Sequence, residues 1–176
     1  SDNETIGFQA YSENVTSNKL LYNSSITDSL TSLYNRRFFD EIIPRQIKII
    51  QREKTILAFS IVDIDYFKQY NDLYGHQEGD NALKRVALVL KNSLHRPNDY
   101  AFRLGGEEFG LLFNIKNEED AYKIAQQIKQ NVENLKIEHS DNTASKFVTI
   151  SMGIYLIKPE SIYTVEDIYK LCDENL

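Results

Sequence analysis

Two acidic groupings carry the clearest chemical signal in this chain. One is Asp63-Ile64-Asp65, closing an apolar run from Ile56 to Val62. The other is Glu107-Glu108, set after Gly105-Gly106 and between the β-prone runs Tyr100–Leu104 and Phe109–Phe113. A Gly-Gly pair between two such runs is what a tight hairpin uses, because its turn needs positive φ that glycine adopts cheaply. The spacing predicts a hairpin that holds both glutamates at its tip. If the Ile56 strand lies beside that hairpin, Asp63 and Glu107 converge. Magnesium takes few carboxylates, several waters and the phosphate oxygens of a nucleotide. Paired cations can activate an attacking hydroxyl and stabilise a leaving phosphate. The bland reading of each acid is a strand end or a turn.

The stretch after Asp65 adds complementary chemistry. Lys68 is a compact cation suited to phosphate oxygens. Asn71 and Asp80 carry donors and acceptors able to read a purine edge, and a carboxylate suits guanine N1–H and N2–H₂. Gly75 and Gly79 allow close backbone approach, and His76 is suited to a phosphate or a metal, although a lone loop histidine is more often structural. Neither a Walker-type loop nor a GxGxxG motif occurs.

The elements that must position these groups follow from periodicity. Residues 1–27 are polar and read as a connector, partly helical from Leu20 to Ile26. Phe38, Phe39, Ile42, Ile43, Ile47 and Ile50 keep helical spacing over Arg36–Gln51, with a kink or break expected at Pro44. Ile56–Val62 is a buried strand, followed by a polar, glycine-punctuated stretch, Tyr66–Gly79. Asp80 is expected to cap a helix carrying Leu83, Val86, Ala87, Leu90 and Leu94, and Pro97-Asn98-Asp99 to make a turn. Asn117 caps a helix with Ala121, Ile124, Ala125, Ile128, Val132 and Leu135 on one side. Lys146–Ile157 reads as a strand in which Gly153 marks a bulge or close approach, and Thr164 caps a last helix. The hairpin in the middle argues for an α/β sandwich, α+β-like, with a mixed, largely antiparallel sheet flanked by helices.

Bulk properties bound the function. The chain has 176 residues, enough for one well-buried domain and a short extension. A net charge of −6 argues against broad nucleic-acid binding, which needs a basic footprint. Cys172 is the only cysteine, so no disulfide framework or thiolate cluster exists in this sequence, and a reducing, cytoplasmic setting is expected. No apolar run approaches the ~20 residues of a membrane span.

Taken together, Asp63-x-Asp65-x-Phe67-Lys68-x-x-Asn71-Asp72-x-x-Gly75-His76-x-x-Gly79-Asp80-x-x-Leu83 and Gly105-Gly106-Glu107-Glu108-Phe109 resemble the GGDEF family of diguanylate cyclases. So do Asp28-x-Leu30-Thr31-x-Leu33-x-Asn35-Arg36-Arg37 upstream and Ser151-x-Gly153 downstream, and the resemblance covers roughly residues 26–176. It implies a GGDEF domain over 28–176 behind the connector, with a palm-like fold of nucleotide-cyclase type. It also implies magnesium- or manganese-dependent condensation of two GTP into cyclic di-GMP and pyrophosphate. By position, Asp63, the Ile64 carbonyl and Glu107 would hold the metal, with Glu107 and Glu108 as the catalytic acids. Lys68, Asn71, His76, Asp80, Gly105 and Gly106 would surround the nucleotide. One GTP per domain implies a homodimer in catalysis. Arg96-Pro97-Asn98-Asp99 matches the family's RxxD inhibitory site in its spacing from Gly105, which implies feedback by cyclic di-GMP through Arg96 and Asp99.

In the family the last helix continues into a Tyr and a Lys that help hold phosphates, whereas Asp173-Glu174-Asn175-Leu176 only reaches the start of that motif. The chain thus resembles an output domain whose parent carries an N-terminal sensor and is cytoplasmic or membrane-anchored. The rival readings are a catalytically silent module that binds GTP or cyclic di-GMP, and a polymerase-like palm. Retention of the glycines and acids weighs against the first, and the acidic charge and RxxD weigh against the second.

Overall fold

The computed structural model describes residues 22, 24–160 and 162–176. The connector expected over 1–27 therefore lies mostly outside the described residues; of it, 22 and 24–26 are helical. The elements that follow are β1 (Tyr34–Asn35), α1 (Arg36–Glu53), β2 (Ile56–Ile64), α2 (Phe67–Tyr74), α3 (His76–Asn92), β3 (Tyr100–Gly105), β4 (Glu108–Ile115), α4 (Glu118–Glu133), β5 (Ile150–Ile157) and α5 (Val165–Asp173). The strands form one sheet in the order β1-β3-β4-β2-β5, parallel only between β1 and β3. This is the mixed, largely antiparallel sheet flanked by helices that the hairpin spacing predicts.

Side-chain alternation along β2 builds two cores. Ala58, Val62 and Ile64 join Phe109, Leu111 and Phe113 of β4 beneath α2, α3 and α4. Leu57, Phe59 and Ile61 join Phe102 and Leu112 beneath α1 and α5, where Phe39, Ile43, Ile168 and Cys172 are buried. Because β2 is covered on both sides, it reads as a nearly continuous apolar run. Its polar end, Asp63, emerges where both layers stop.

Several local expectations are met by the predicted chemistry. Asn117 and Thr164 each accept a backbone hydrogen bond at a helix start, and Thr164 forms a reciprocal capping box with Asp167. Gly153 is a close-approach glycine: a Cβ there would run into the Cys172 carbonyl and lie 2.8 Å from Leu176 N. The end of α5 can therefore lie directly on the sheet.

Others are corrected. α1 runs unbroken through Pro44, since Phe38, Phe39, Ile42, Ile43, Gln46 and Ile50 on both sides are buried against the sheet. That shared burial outweighs the one lost backbone bond. The polar stretch after Asp65 is two helices, not a loop. Tyr66 enters α2 with a left-handed φ of 57°, and Gly75, at φ 85°, turns the chain from α2 into α3. Asp80 accordingly sits inside α3 rather than capping it. The last strand begins at Ile150; the residues before it form an irregular segment tied by an isolated Glu138–Phe147 bridge.

Candidate functional site

The acidic residues meet at one end of the sheet because of register. β2 and β4 pair antiparallel, with Asp63 opposite Glu108, and β3 returns from the same end. The reversal itself is Gly106-Glu107. Only Gly106 has positive φ, 47°, so of the two glycines it alone meets the conformational demand of the turn. Glu107 lies in the turn and Glu108 is the first residue of β4. Burial raises the Asp63 carboxyl, and the negative charges of Glu107, Glu108 and Asp65 raise it further, to about 6. Acids this crowded favour a cation.

Asp65 plays a different part from Asp63. Its two oxygens accept hydrogen bonds from the hydroxyls of Thr149 (2.6 Å) and Ser151 (2.7 Å), and its amide donates to the Thr149 carbonyl. It ties the end of β2 to β5. Just beyond it, the Tyr66 carbonyl lies 3.1 Å from Nε2 of the fully buried His139, whose ring meets Tyr70 edge-on. These contacts hold the corner between strand and α2 in its left-handed conformation.

On the α2–α3 side of the hairpin opens a cleft of about 530 Å³ lined by Lys68, Asn71, His76, Asp80, Arg103, Gly106 and Glu107, with Phe67, Asp72 and Leu83. Six of the expected site residues therefore share one cavity. Asn71 Oδ1 is buried and has no hydrogen-bond partner. It is packed against Gly79, where a Cβ would overlap it. An unsatisfied buried acceptor is costly, which marks this oxygen as waiting for a donor. Gly105 has open space around it at the end of β3.

Sequence reasoning gave no role to three residues that support the site. Arg103 donates through Nε and Nη2 to the Gly106 carbonyl (3.0 and 2.9 Å) and through Nη1 to Asp28 (3.2 Å), so it staples the turn to the chain before β1. Asp28 stands in the upstream motif, but its partner Arg103 lies 75 residues away. Tyr169 of α5 donates its phenol hydrogen to Glu108 Oε2 at 3.2 Å. No local pattern around Tyr169 distinguishes it from a core aromatic. His139 likewise sits in an irregular segment without periodic signal.

Arg96 and Asp99 lie apart from this cleft, at the far end of the β3–β4 ladder. Asp99 accepts from the amides of Arg96 (3.1 Å) and Asn114 (3.3 Å), and Arg96 Nη1 donates to the Asn114 carbonyl at 2.6 Å. Asp99 also borders a second cavity of about 500 Å³ with Lys91, Leu94, Ser32 and Tyr34.

A mixed sheet ending in paired carboxylates beside a helix-walled polar cleft defines a palm-like nucleotide-cyclase domain. The family model described as "Diguanylate cyclase, GGDEF domain" matches residues 25–176. The chain belongs to the GGDEF-domain family of diguanylate cyclases. It is 37% identical over 150 residues to the probable diguanylate cyclase DgcT of Escherichia coli, covering 85% of this chain and 32% of the relative. With the diguanylate cyclase DosC of Shigella sonnei it shares 34% identity over 149 residues, 85% of this chain and 32% of the relative. The chain thus spans about a third of the length of these relatives. Among solved structures, the GGDEF domain of DgcB from Caulobacter crescentus in complex with c-di-GMP is similar with a TM-score of 0.74 at 28% identity, covering 85% of this chain and 86% of that one. The coiled coil and GGDEF domain of the same DgcB shares the fold with a TM-score of 0.82, over 98% of this chain and 90% of that one.

Proposed function

We propose that this domain condenses two molecules of GTP into cyclic di-GMP, one GTP being held by each of two domains that face each other. The observation that carries the reading is the buried, unpartnered Asn71 Oδ1 in a cleft that also holds Asp80 and Glu107. Asn71 and Asp80 accept from the guanine edge, and Lys68 faces the phosphates, with His76 beside the nucleotide. Gly106 leaves the turn open to the ligand.

Among the described residues no cluster of three His, Cys, Asp or Glu is preformed for a metal. The acids present nevertheless fit a hard cation of the magnesium type, which completes its octahedron with water and phosphate oxygens. Asp63, the Ile64 carbonyl and Glu107 would hold it; burial and then neighbouring acids raise Asp63, and positive charge would offset both. Such a cation, magnesium or manganese, supplies charge stabilisation at the reacting phosphate. In each half-reaction the ribose 3′ oxygen bonds to the α-phosphorus of the opposing GTP and pyrophosphate leaves. Glu107 promotes loss of the 3′-hydroxyl proton, and Glu108 completes the acidic turn.

Arg96 and Asp99 form a separate product site. Their turn is pre-shaped by the Asp99 hydrogen bonds, and the remaining guanidinium donors of Arg96 suit a phosphate or guanine. A sensor domain upstream and homodimerisation complete the proposal for the whole protein.

The test is incubation of the protein with GTP and magnesium, followed by chromatography for cyclic di-GMP. Product from the unaltered dimer and none from Glu107→Gln is expected. GTP binding without product would instead make the domain a silent nucleotide-binding module. For the product site, Arg96→Ala should abolish tight cyclic di-GMP binding, and unchanged binding would refute it.

A further inference from the structure

The acidic turn lies over two layers that do different work. The nucleotide cleft opens on the side of α2 and α3. Asp63 and Glu108, by strand alternation, share the face of Ile61 and Leu112, which is the face covered by α1 and α5. On that face Tyr169, in α5, donates its phenol hydrogen to Glu108 Oε2. The guanidinium of Arg36, the first residue of α1, lies 4.5 Å from the centre of the Tyr169 ring. Both helices are anchored by burial, α5 through Ile168 and Cys172 and α1 through Phe39 and Ile43. The phenol is thus delivered to Glu108 from a rigid support.

We propose that Tyr169 is a positioning residue for the cation-binding turn: its hydroxyl fixes one oxygen of Glu108, the residue opposite Asp63 across the β2–β4 ladder, so that the carboxylates meet a divalent cation already oriented. The inference rests on the metal-dependent reading above. A donor to one oxygen of Glu108 restricts its rotamers. Arg36 over the ring makes the phenol a better donor and brings positive charge within one side chain of a crowded anionic cluster. Without the hydroxyl, Glu108 samples other rotamers, and ordering it becomes part of every binding event.

The test compares the unaltered protein with Tyr169→Phe, which keeps the ring and its packing. Manganese binding is followed by electron paramagnetic resonance in the presence of a GTP analogue that cannot be condensed. A weakening of about tenfold is expected, from the loss of one hydrogen bond to a charged group, with at most a small fall in the melting midpoint in the absence of metal. In a Glu108→Gln background the same tyrosine change should have little further effect, since the two side chains act as one unit. Equal manganese affinity in the unaltered and Tyr169→Phe proteins overturns the inference, as does an equal loss in the Glu108→Gln background. An unaltered protein that makes no cyclic di-GMP, yet binds manganese more tightly than Tyr169→Phe, refutes the cyclase reading and leaves the positioning role supported.

Discussion

Asp63 stands opposite Glu108 across the β2–β4 ladder, and burial together with Glu107, Glu108 and Asp65 raises its carboxyl from 3.8 to about 6. An acid whose folded-state value is raised holds its proton more tightly in the folded chain than in the unfolded one. The metal-free protein therefore loses stability as pH rises from about 4 to about 6, and the cost persists above that. A shift of this size corresponds to about 3 kcal/mol if fully expressed, but the half-buried group is screened, so about 1 kcal/mol is expected. Asp63→Asn should gain that amount at about pH 7 in EDTA and nothing at about pH 4, while losing metal-dependent activity. Urea melts at the two pH values check it; an equal gain at both would contradict the assignment.

Gly79→Ala separates stability from ligand binding. Alanine in a helix interior is worth up to about 1 kcal/mol over glycine, but its Cβ would overlap Asn71 Oδ1. Asn71 has a short side chain that can rotate away, so the melting temperature should change little. Its buried oxygen, the one proposed to meet guanine, is then displaced, and GTP affinity should fall by at least about tenfold, or about 1.4 kcal/mol. Calorimetric titration of GTP measures this, and unchanged affinity would remove Asn71 from the nucleotide site.

The Arg103–Asp28 pair is mostly buried, with side-chain exposures of 17% and 22%. Burial alone would raise Asp28, but hydrogen bonds from the Thr31 hydroxyl and amide, with Arg103, hold it below the usual carboxylate range. Its contribution is therefore present above about pH 4 and lost as pH falls through its lower folded value. Arg103→Ala should cost about 1–2 kcal/mol at neutral pH and free the Gly106 carbonyl, with a fall in turnover. Asp28→Asn should destabilise at about pH 7 and be nearly silent near pH 2. Denaturant melts across that range would expose a pair that contributes nothing.

Gly153→Ala tests how α5 is seated. The new Cβ meets the backbone of Cys172 and Leu176, which cannot rotate aside as a side chain can. A cost of about 1–3 kcal/mol is expected. The displaced helix should also carry Tyr169 away from Glu108, weakening manganese binding in parallel. Substitution without loss of stability would mean that α5 tolerates lifting from the sheet.

The division between what each level determined can be followed residue by residue. That Lys68, Asn71, His76, Asp80, Gly106 and Glu107 belong together was legible because their spacing is local, and the fold does gather them around one cleft. The hairpin, the helix caps at Asn117 and Thr164, and the close approach at Gly153 were legible for the same reason: short-range stereochemistry dictates them. The continuity of α1 through Pro44 was not, because burial of residues on both of its sides outweighs a local preference. Nor was the helical character of the segment after Asp65, where a left-handed Tyr66 and Gly75 set corners that packing must hold.

Only the folded chain could decide which acids meet and what steadies them. Register placed Asp63 opposite Glu108 and gave Asp65 to Thr149 and Ser151, although the two aspartates look equivalent in sequence. It also brought Arg103 to Asp28 and Tyr169 to Glu108 across 75 and 61 residues. Pattern within one segment carries no information about such distances. They follow from sheet order and from the two cores that seat the helices on opposite faces.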